Sequence, residues 1–128
     1  MTFPQDLRYT SSHEWVRLKG RTAEVGITDH AVAAIKDVVF LELPEAGREL
    51  AAAKPFGVIE SVKAVFDLNA PVGGKVTEVN KGLQDDFGPL QGDPYGKGWM
   101  IKLDVKDTDL SGLMDAAAYE KFCAQEHH

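Results

Sequence analysis

Val58-Ile59-Glu60-Ser61-Val62-Lys63-Ala64-Val65-Phe66 is the stretch on which the reading of this chain turns. It is a β-type apolar run of Val58, Ile59, Val62, Val65 and Phe66, broken by one cation, Lys63, with the carboxylate Glu60 a short step upstream. Phe56-Gly57 leads in and Asp67-Leu68-Asn69-Ala70-Pro71 leads out. Such a run bounded by Gly and Pro predicts two short strands joined by a tight turn, with Lys63 near the tip. A lysine held there stands clear of the core on a rigid support, where another enzyme can reach and acylate it. Hairpin tips are polar for ordinary reasons of solvation, so a tip lysine alone also reads as a plain surface cation. The flanking chain has to decide.

Upstream, Trp15-Val16-Arg17-Leu18-Lys19 reads as a strand that Gly20 turns into Arg21 to Ile27, where Ala23, Val25 and Ile27 alternate with polar or small residues. Thr28 or Asp29 caps a short helix running through Ala34-Ile35, with Ala31, Val32 and Ile35 on one face. Val38-Val39-Phe40-Leu41-Glu42-Leu43 is an apolar strand ended by Pro44, and Glu45-Ala46-Gly47-Arg48 is a turn. Downstream, Ala70-Pro71-Val72-Gly73-Gly74 breaks the pattern, and Lys75 to Asn80 predicts a strand with Val76 and Val79 inward. Gly82, Gly88, Pro89, Gly92, Pro94, Gly96 and Gly98 predict one long loop over 82–98, a length associated with function or partner contact. Trp99 to Val105 closes the β region with Trp99, Ile101, Leu103 and Val105 on one face. The tail then changes period. Leu110, Leu113 and Met114 have helical spacing behind Asp107-Thr108-Asp109, and Asp115 caps a second helix, Ala116 to Gln125, with Tyr119, Phe122 and Cys123 inward. With short strands throughout and no βαβ alternation, the fold class is mainly β, two antiparallel sheets in a sandwich with α appendages.

A chain of 128 residues supports a single domain, 1–128, with a core from about residue 7 to 123. Its 14 basic and 20 acidic residues give a net charge of −6 with no Lys/Arg cluster, which argues against nucleic acid and anionic membranes as partners. Cys123 is the only cysteine, so no internal disulfide, no CxxC redox pair, no Cys-based zinc site and no other metal site is expected, and any sulfur redox chemistry must be imported. Met1-Thr2-Phe3-Pro4-Gln5-Asp6 lacks a signal-peptide or transit pattern, and no apolar stretch reaches membrane-spanning length. The expected location is the cytoplasm, or the mitochondrial matrix for a processed organellar form, and the expected state is a monomer.

Five segments, in order and in register, resemble one family. They are Ser12-His13-Glu14-Trp15, Gly26-Ile27-Thr28-Asp29-His30-Ala31, Val38 to Pro44, Gly57-Val58-Ile59-Glu60-Ser61-Val62-Lys63-Ala64, and Asp93-Pro94-Tyr95-Gly96-Lys97-Gly98-Trp99. Together they resemble the H protein of the glycine cleavage system over roughly Leu7 to Cys123. The resemblance implies the lipoyl/biotinyl barrel-sandwich hybrid fold, with Gly47 and Gly74 as turn glycines that pin the hairpin. It implies lipoic acid in amide linkage to Lys63, recognised within Glu60, Ser61, Val62 and Ala64. It further implies a carrier rather than an enzyme, shuttling the aminomethyl group of glycine. The partners would be glycine decarboxylase (P protein), the tetrahydrofolate-dependent aminomethyltransferase (T protein), dihydrolipoamide dehydrogenase (L protein), and a lipoate ligase or lipoyl/octanoyl transferase. Ser12, Glu14 and Asp67 match positions at the family's arm cleft, where carboxylates suit the cationic end of a loaded arm. The chain departs from the family at Ile35-Lys36-Asp37, at Ala34, and at the bulky pair Val65 and Phe66 after the lysine.

Other chemistry finds less support. His13 and His30 have no evident Ser or Cys nucleophile to serve and read as structural hydrogen-bonding groups. Glu78, Asp85 and Asp86 match no cation-binding loop, the Gly-rich 82–98 region is no phosphate loop, and Trp15 and Trp99 read as core. His127 and His128 are assigned no metal role. Two alternatives stay open: another carrier of the same fold (a lipoyl domain of an oxo-acid dehydrogenase, or a biotin carrier), and an unmodified interaction or lipoyl-relay module. Val62 and Ala64, where biotin carriers favour Met on both sides of the lysine, speak against biotin.

Overall fold

Two antiparallel sheets of unequal size divide the strands of the computed structural model, which describes residues 2–126. In chain order the strands are β1 (Arg8–Tyr9), β2 (Glu14–Lys19), β3 (Thr22–Ile27), β4 (Val38–Glu42), β5 (Glu49–Leu50), β6 (Pro55–Ser61), β7 (Val65–Asn69), β8 (Gly74–Val79) and β9 (Ile101–Asp104). The helices are α1 (Asp29–Ile35), α2 (Gly88–Gly92) and α3 (Ala116–Glu126), with a 3-10 turn at Lys81–Gln84. The six-stranded sheet has the order β1-β2-β3-β9-β8-β5, and the three-stranded sheet has the order β4-β6-β7. This is the expected mainly-β sandwich, with β1 and β5 added as two-residue strands too short for a periodic signal.

Alternation along the strands builds the core. Val25, Ile27, Val76, Ile101 and Leu103 from the large sheet meet Leu41, Phe56, Ile59 and Leu68 from the small one. The spacing of Val76 and Val79 looks wrong for a strand of period two, and a bulge between Val76 and Glu78 accounts for it. Glu14, Trp15 and Val16 are buried in succession, because the second face of β2 is also covered. There Leu7, Tyr9 and Trp15 pack with Tyr119 and Cys123 of α3 in a second cluster. Tyr9 stacks on Tyr119 with ring centroids 4.5 Å apart, and Trp15 donates its indole N–H to the Pro94 carbonyl at 3.0 Å. Each such fully buried large side chain contributes about 1.5–3 kcal/mol. Trp99, expected in the core, is half-buried and packs against this second cluster.

Three sequence expectations are corrected. Residues 82–98 are not one structureless loop: the 3-10 turn and α2 insert Leu83 and Leu90 into the core, giving the Gly-rich segment its own anchors. No helix forms over Leu110 to Met114. The Asp107 carboxylate accepts from the Asp109 N–H and the Asp109 carboxylate from the Ser111 N–H, closing turns instead of capping a helix. Met114 then pairs with Tyr9 in an antiparallel bridge. Gly47 has the left-handed φ of 96° expected of a turn glycine, but Gly74 does not. It opens β8, and a Cβ there would lie 2.6 Å from the Asp104 carbonyl oxygen, so close strand approach requires the glycine. The helices α1 and α3 form as expected, α1 capped by the Thr28 hydroxyl accepting from the Ala31 N–H and α3 by Asp115 accepting from the Ala118 N–H. His127 and His128 lie outside the described residues.

Candidate functional site: the lysine hairpin and the groove below it

β6 and β7 pair antiparallel from Pro55↔Asn69 to Glu60↔Val65, which leaves Val62-Lys63-Ala64 as the turn. Ser61 builds this tip. Its N–H donates to the Ala64 carbonyl at 2.8 Å. Its Oγ accepts from the Lys63 N–H at 3.2 Å and the Ala64 N–H at 3.1 Å. Val62 N–H donates to the Asp37 carbonyl at 3.2 Å, tying the tip to the segment before β4. The turn is therefore held by its own backbone and one hydroxyl, while Lys63 is exposed. Among the described residues Lys63 makes no ion pair that acylation would break. An exposed amine on a pinned turn fits an amide-linked prosthetic group.

Around the lysine the surface is apolar. Val39, Phe40, Val62, Val65 and Phe66 are 43–70% exposed, a concentration that the expected strand Val38 to Leu43 did not anticipate as surface. The strand register aligns Phe40, Glu60 and Val65 across the small sheet, so the half-buried Glu60 stands in an apolar row.

The residues expected at an arm cleft divide. A groove of about 1040 Å³ is lined in part by Thr10, Ser12, Glu14, Asn69 and Ala70. Glu14 is only 1% exposed, and both its oxygens are engaged. Oε1 accepts from the Thr10 and Ser12 hydroxyls, each at 2.6 Å, and Oε2 accepts from the Asn69 N–H at 3.0 Å. Since β7 is an edge strand, this last bond ties the large sheet to the small one through a side chain. Burial pushes the Glu14 carboxyl above its ordinary range, against the pull of these hydrogen bonds. Glu14 is thus a buried tie rather than an open carboxylate on the rim. Ser12 is exposed beside it, and Asp67 is exposed on β7 but is not part of the groove lining. Sequence reasoning missed Thr10 and Asn69 as partners of Glu14. The polar run Tyr9-Thr10-Ser11-Ser12 was the available signal for the first, whereas the second comes only from the packing of the two sheets.

The sandwich with a single lysine raised on its small-sheet hairpin is the lipoyl/biotinyl barrel-sandwich hybrid. Comparison with known proteins narrows this: the chain belongs to the glycine cleavage H-protein family, whose description it matches over residues 7–126. It is 54% identical over 123 residues to a glycine cleavage system H protein of Rubrobacter xylanophilus, covering 96% of each chain. It is 47% identical to glycine cleavage system H protein 2, mitochondrial, of Arabidopsis thaliana, over 95% of this chain and 79% of that one. The crystal structure of a glycine cleavage system H protein from Mycobacterium marinum superposes with a TM-score of 0.84 at 36% identity, covering 98% of this chain and all of the other.

Proposed function

We propose that this chain is the lipoyl carrier of a glycine cleavage system, with lipoic acid attached to Lys63. The observation that supports it most is the Ser61-pinned turn, which raises one exposed lysine on a rigid hairpin within a family-matched chain. Once attached, lipoic acid supplies a disulfide on a flexible arm, the sulfur chemistry that a chain with one cysteine cannot make alone. The chain's own residues carry and present rather than turn over. Ser61 fixes the direction of Lys63, Glu60, Val62 and Ala64 frame it for the modifying ligase or transferase, and the apolar surround gives partner enzymes a dry contact. Tethering raises the effective concentration of the cargo at each partner. The partners are glycine decarboxylase (P protein), the aminomethyltransferase (T protein) and dihydrolipoamide dehydrogenase (L protein), in a bacterial cytoplasm or a mitochondrial matrix.

Ser12 and Asp67 offer polar groups to the cationic end of a loaded arm, and Glu14 acts by holding Ser12 and the edge of β7 in place. The deciding experiment is peptide mass mapping of protein made with lipoate and a competent ligase. One lipoyl amide at Lys63 and on no other lysine is expected; modification elsewhere, or none, refutes the assignment.

A further inference from the structure

We propose that His13, His30 and Cys123 form a binding site for a transition-metal ion of the zinc class. Their ligand atoms all lie within 4.8 Å of one another, although the three residues come from the loop before β2, the first turn of α1 and the body of α3. The two imidazole rings are 4.5 Å apart at their centroids and tilted by 34°. Zinc binds imidazole nitrogen at about 2.0–2.1 Å and thiolate sulfur at about 2.3 Å. The three donors must therefore draw in by roughly 1 Å to share one tetrahedral ion. Two imidazoles and one thiolate are a soft donor set that favours zinc or cobalt over magnesium or calcium, both of which require oxygen. On binding, the metal–sulfur bond replaces the S–H bond of Cys123 and the proton passes to solvent.

The surroundings are those of a built site. The Tyr119 hydroxyl lies 2.7 Å from His13 Nδ1 and 2.7 Å from the Thr28 hydroxyl, with the Cys123 thiol also within its reach. Tyr119 and Thr28 are fully buried, and Thr28 is itself fixed by the Ala31 N–H. This relay orients the His13 ring, as the outer partners of metal-bound histidines do. His13 also holds a left-handed backbone, φ 74°, and its carbonyl accepts from the Thr28 N–H at 3.1 Å. Its neighbours Ser12 and Glu14 line the groove. An ion at His13 therefore braces the groove wall from behind and locks α3 onto the large sheet.

The test uses the full chain, with any lipoyl arm kept as the oxidised dithiolane so that it offers no thiolate. Co²⁺ serves as the spectroscopic probe and Zn²⁺ as the competitor, with calorimetry for stoichiometry. One ion per chain, a thiolate-to-cobalt charge-transfer band bleached by Zn²⁺, and a higher Tm with Zn²⁺ are expected. Cys123→Ser must abolish the band, and His30→Gln, at a half-buried position, must weaken binding by more than an order of magnitude while the apo protein keeps its circular dichroism. A chain ending at Glu126 controls for His127 and His128, and retention of the band there supports the site. Absence of stoichiometric binding, a band that survives Cys123→Ser, or loss of binding in the shortened chain overturns it.

Discussion

The tie between Glu14 and Asn69 allows the sharpest test, through two substitutions of nearly equal size. Glu14→Gln keeps an acceptor. With its amide oxygen toward the Asn69 N–H, the amide nitrogen can donate to the Thr10 and Ser12 hydroxyl oxygens, so every polar group stays paired. The variant loses charge-assisted hydrogen bonds but also sheds the desolvation of a buried carboxylate, and the net change should stay within about 1 kcal/mol. Glu14→Leu fills similar space without an acceptor. The Thr10 and Ser12 hydroxyls, 3.3 Å apart, can turn to each other or to water, whereas the Asn69 N–H faces a buried apolar side chain. An orphaned donor costs about 1–3 kcal/mol. At roughly 4 °C per kcal/mol for a domain of this size, Leu should melt about 4–12 °C below Gln. Thermal and urea denaturation followed by circular dichroism read this directly. Equal stability of the two variants would show that the acceptor contributes nothing and that the sheets are held by apolar packing alone.

Other outcomes follow from the same geometry. Lys63→Arg, at an exposed tip, should change stability by no more than about 0.5 kcal/mol in urea denaturation while abolishing lipoylation and glycine cleavage in a reconstituted system without another carrier. Ser61→Ala removes the acceptor for two tip N–H groups, so a mass-spectrometric time course should show slower modification of Lys63 with a stability loss of about 0.5–1.5 kcal/mol. Gly74→Val drives a Cβ into the Asp104 carbonyl and should cost at least about 1–3 kcal/mol in urea denaturation, with loss of the β8–β9 pairing. If the loaded arm rests against Ser12 and Asp67, Asp67→Asn should release the aminomethyl group several-fold faster without the transferase. A charge-assisted hydrogen bond of about 1.5–3 kcal/mol sets the upper scale of that effect, and unchanged decay would make Asp67 a simple surface charge.

How much could be read before folding depends on the range of the interaction concerned. The hairpin at Lys63 was legible because alternation, a leading glycine and a following Pro71 are local and act within a few residues of each other. Caps at Thr28 and Asp115 were legible for the same reason, as was the inward face of α3. The tail at Asp107 to Ser111 misled because aspartates close turns as readily as they cap helices, and only the pairing of Met114 with Tyr9 selects the extended path. Gly74 is required for a different cause from the one expected: the resemblance implies a turn glycine, while the close approach of Asp104 across the ladder is a tertiary fact. Glu14 shows the limit most clearly. Its neighbours in sequence mark a polar surface, yet β7 of the other sheet arrives to take its second oxygen and buries it. The meeting of His13, His30 and Cys123 is of the same kind. Local order along the chain determined the elements and the exposed lysine, whereas long-range packing alone decided which polar groups meet, because a hydrogen bond or a ligand set depends on distances in space that sequence separation does not encode.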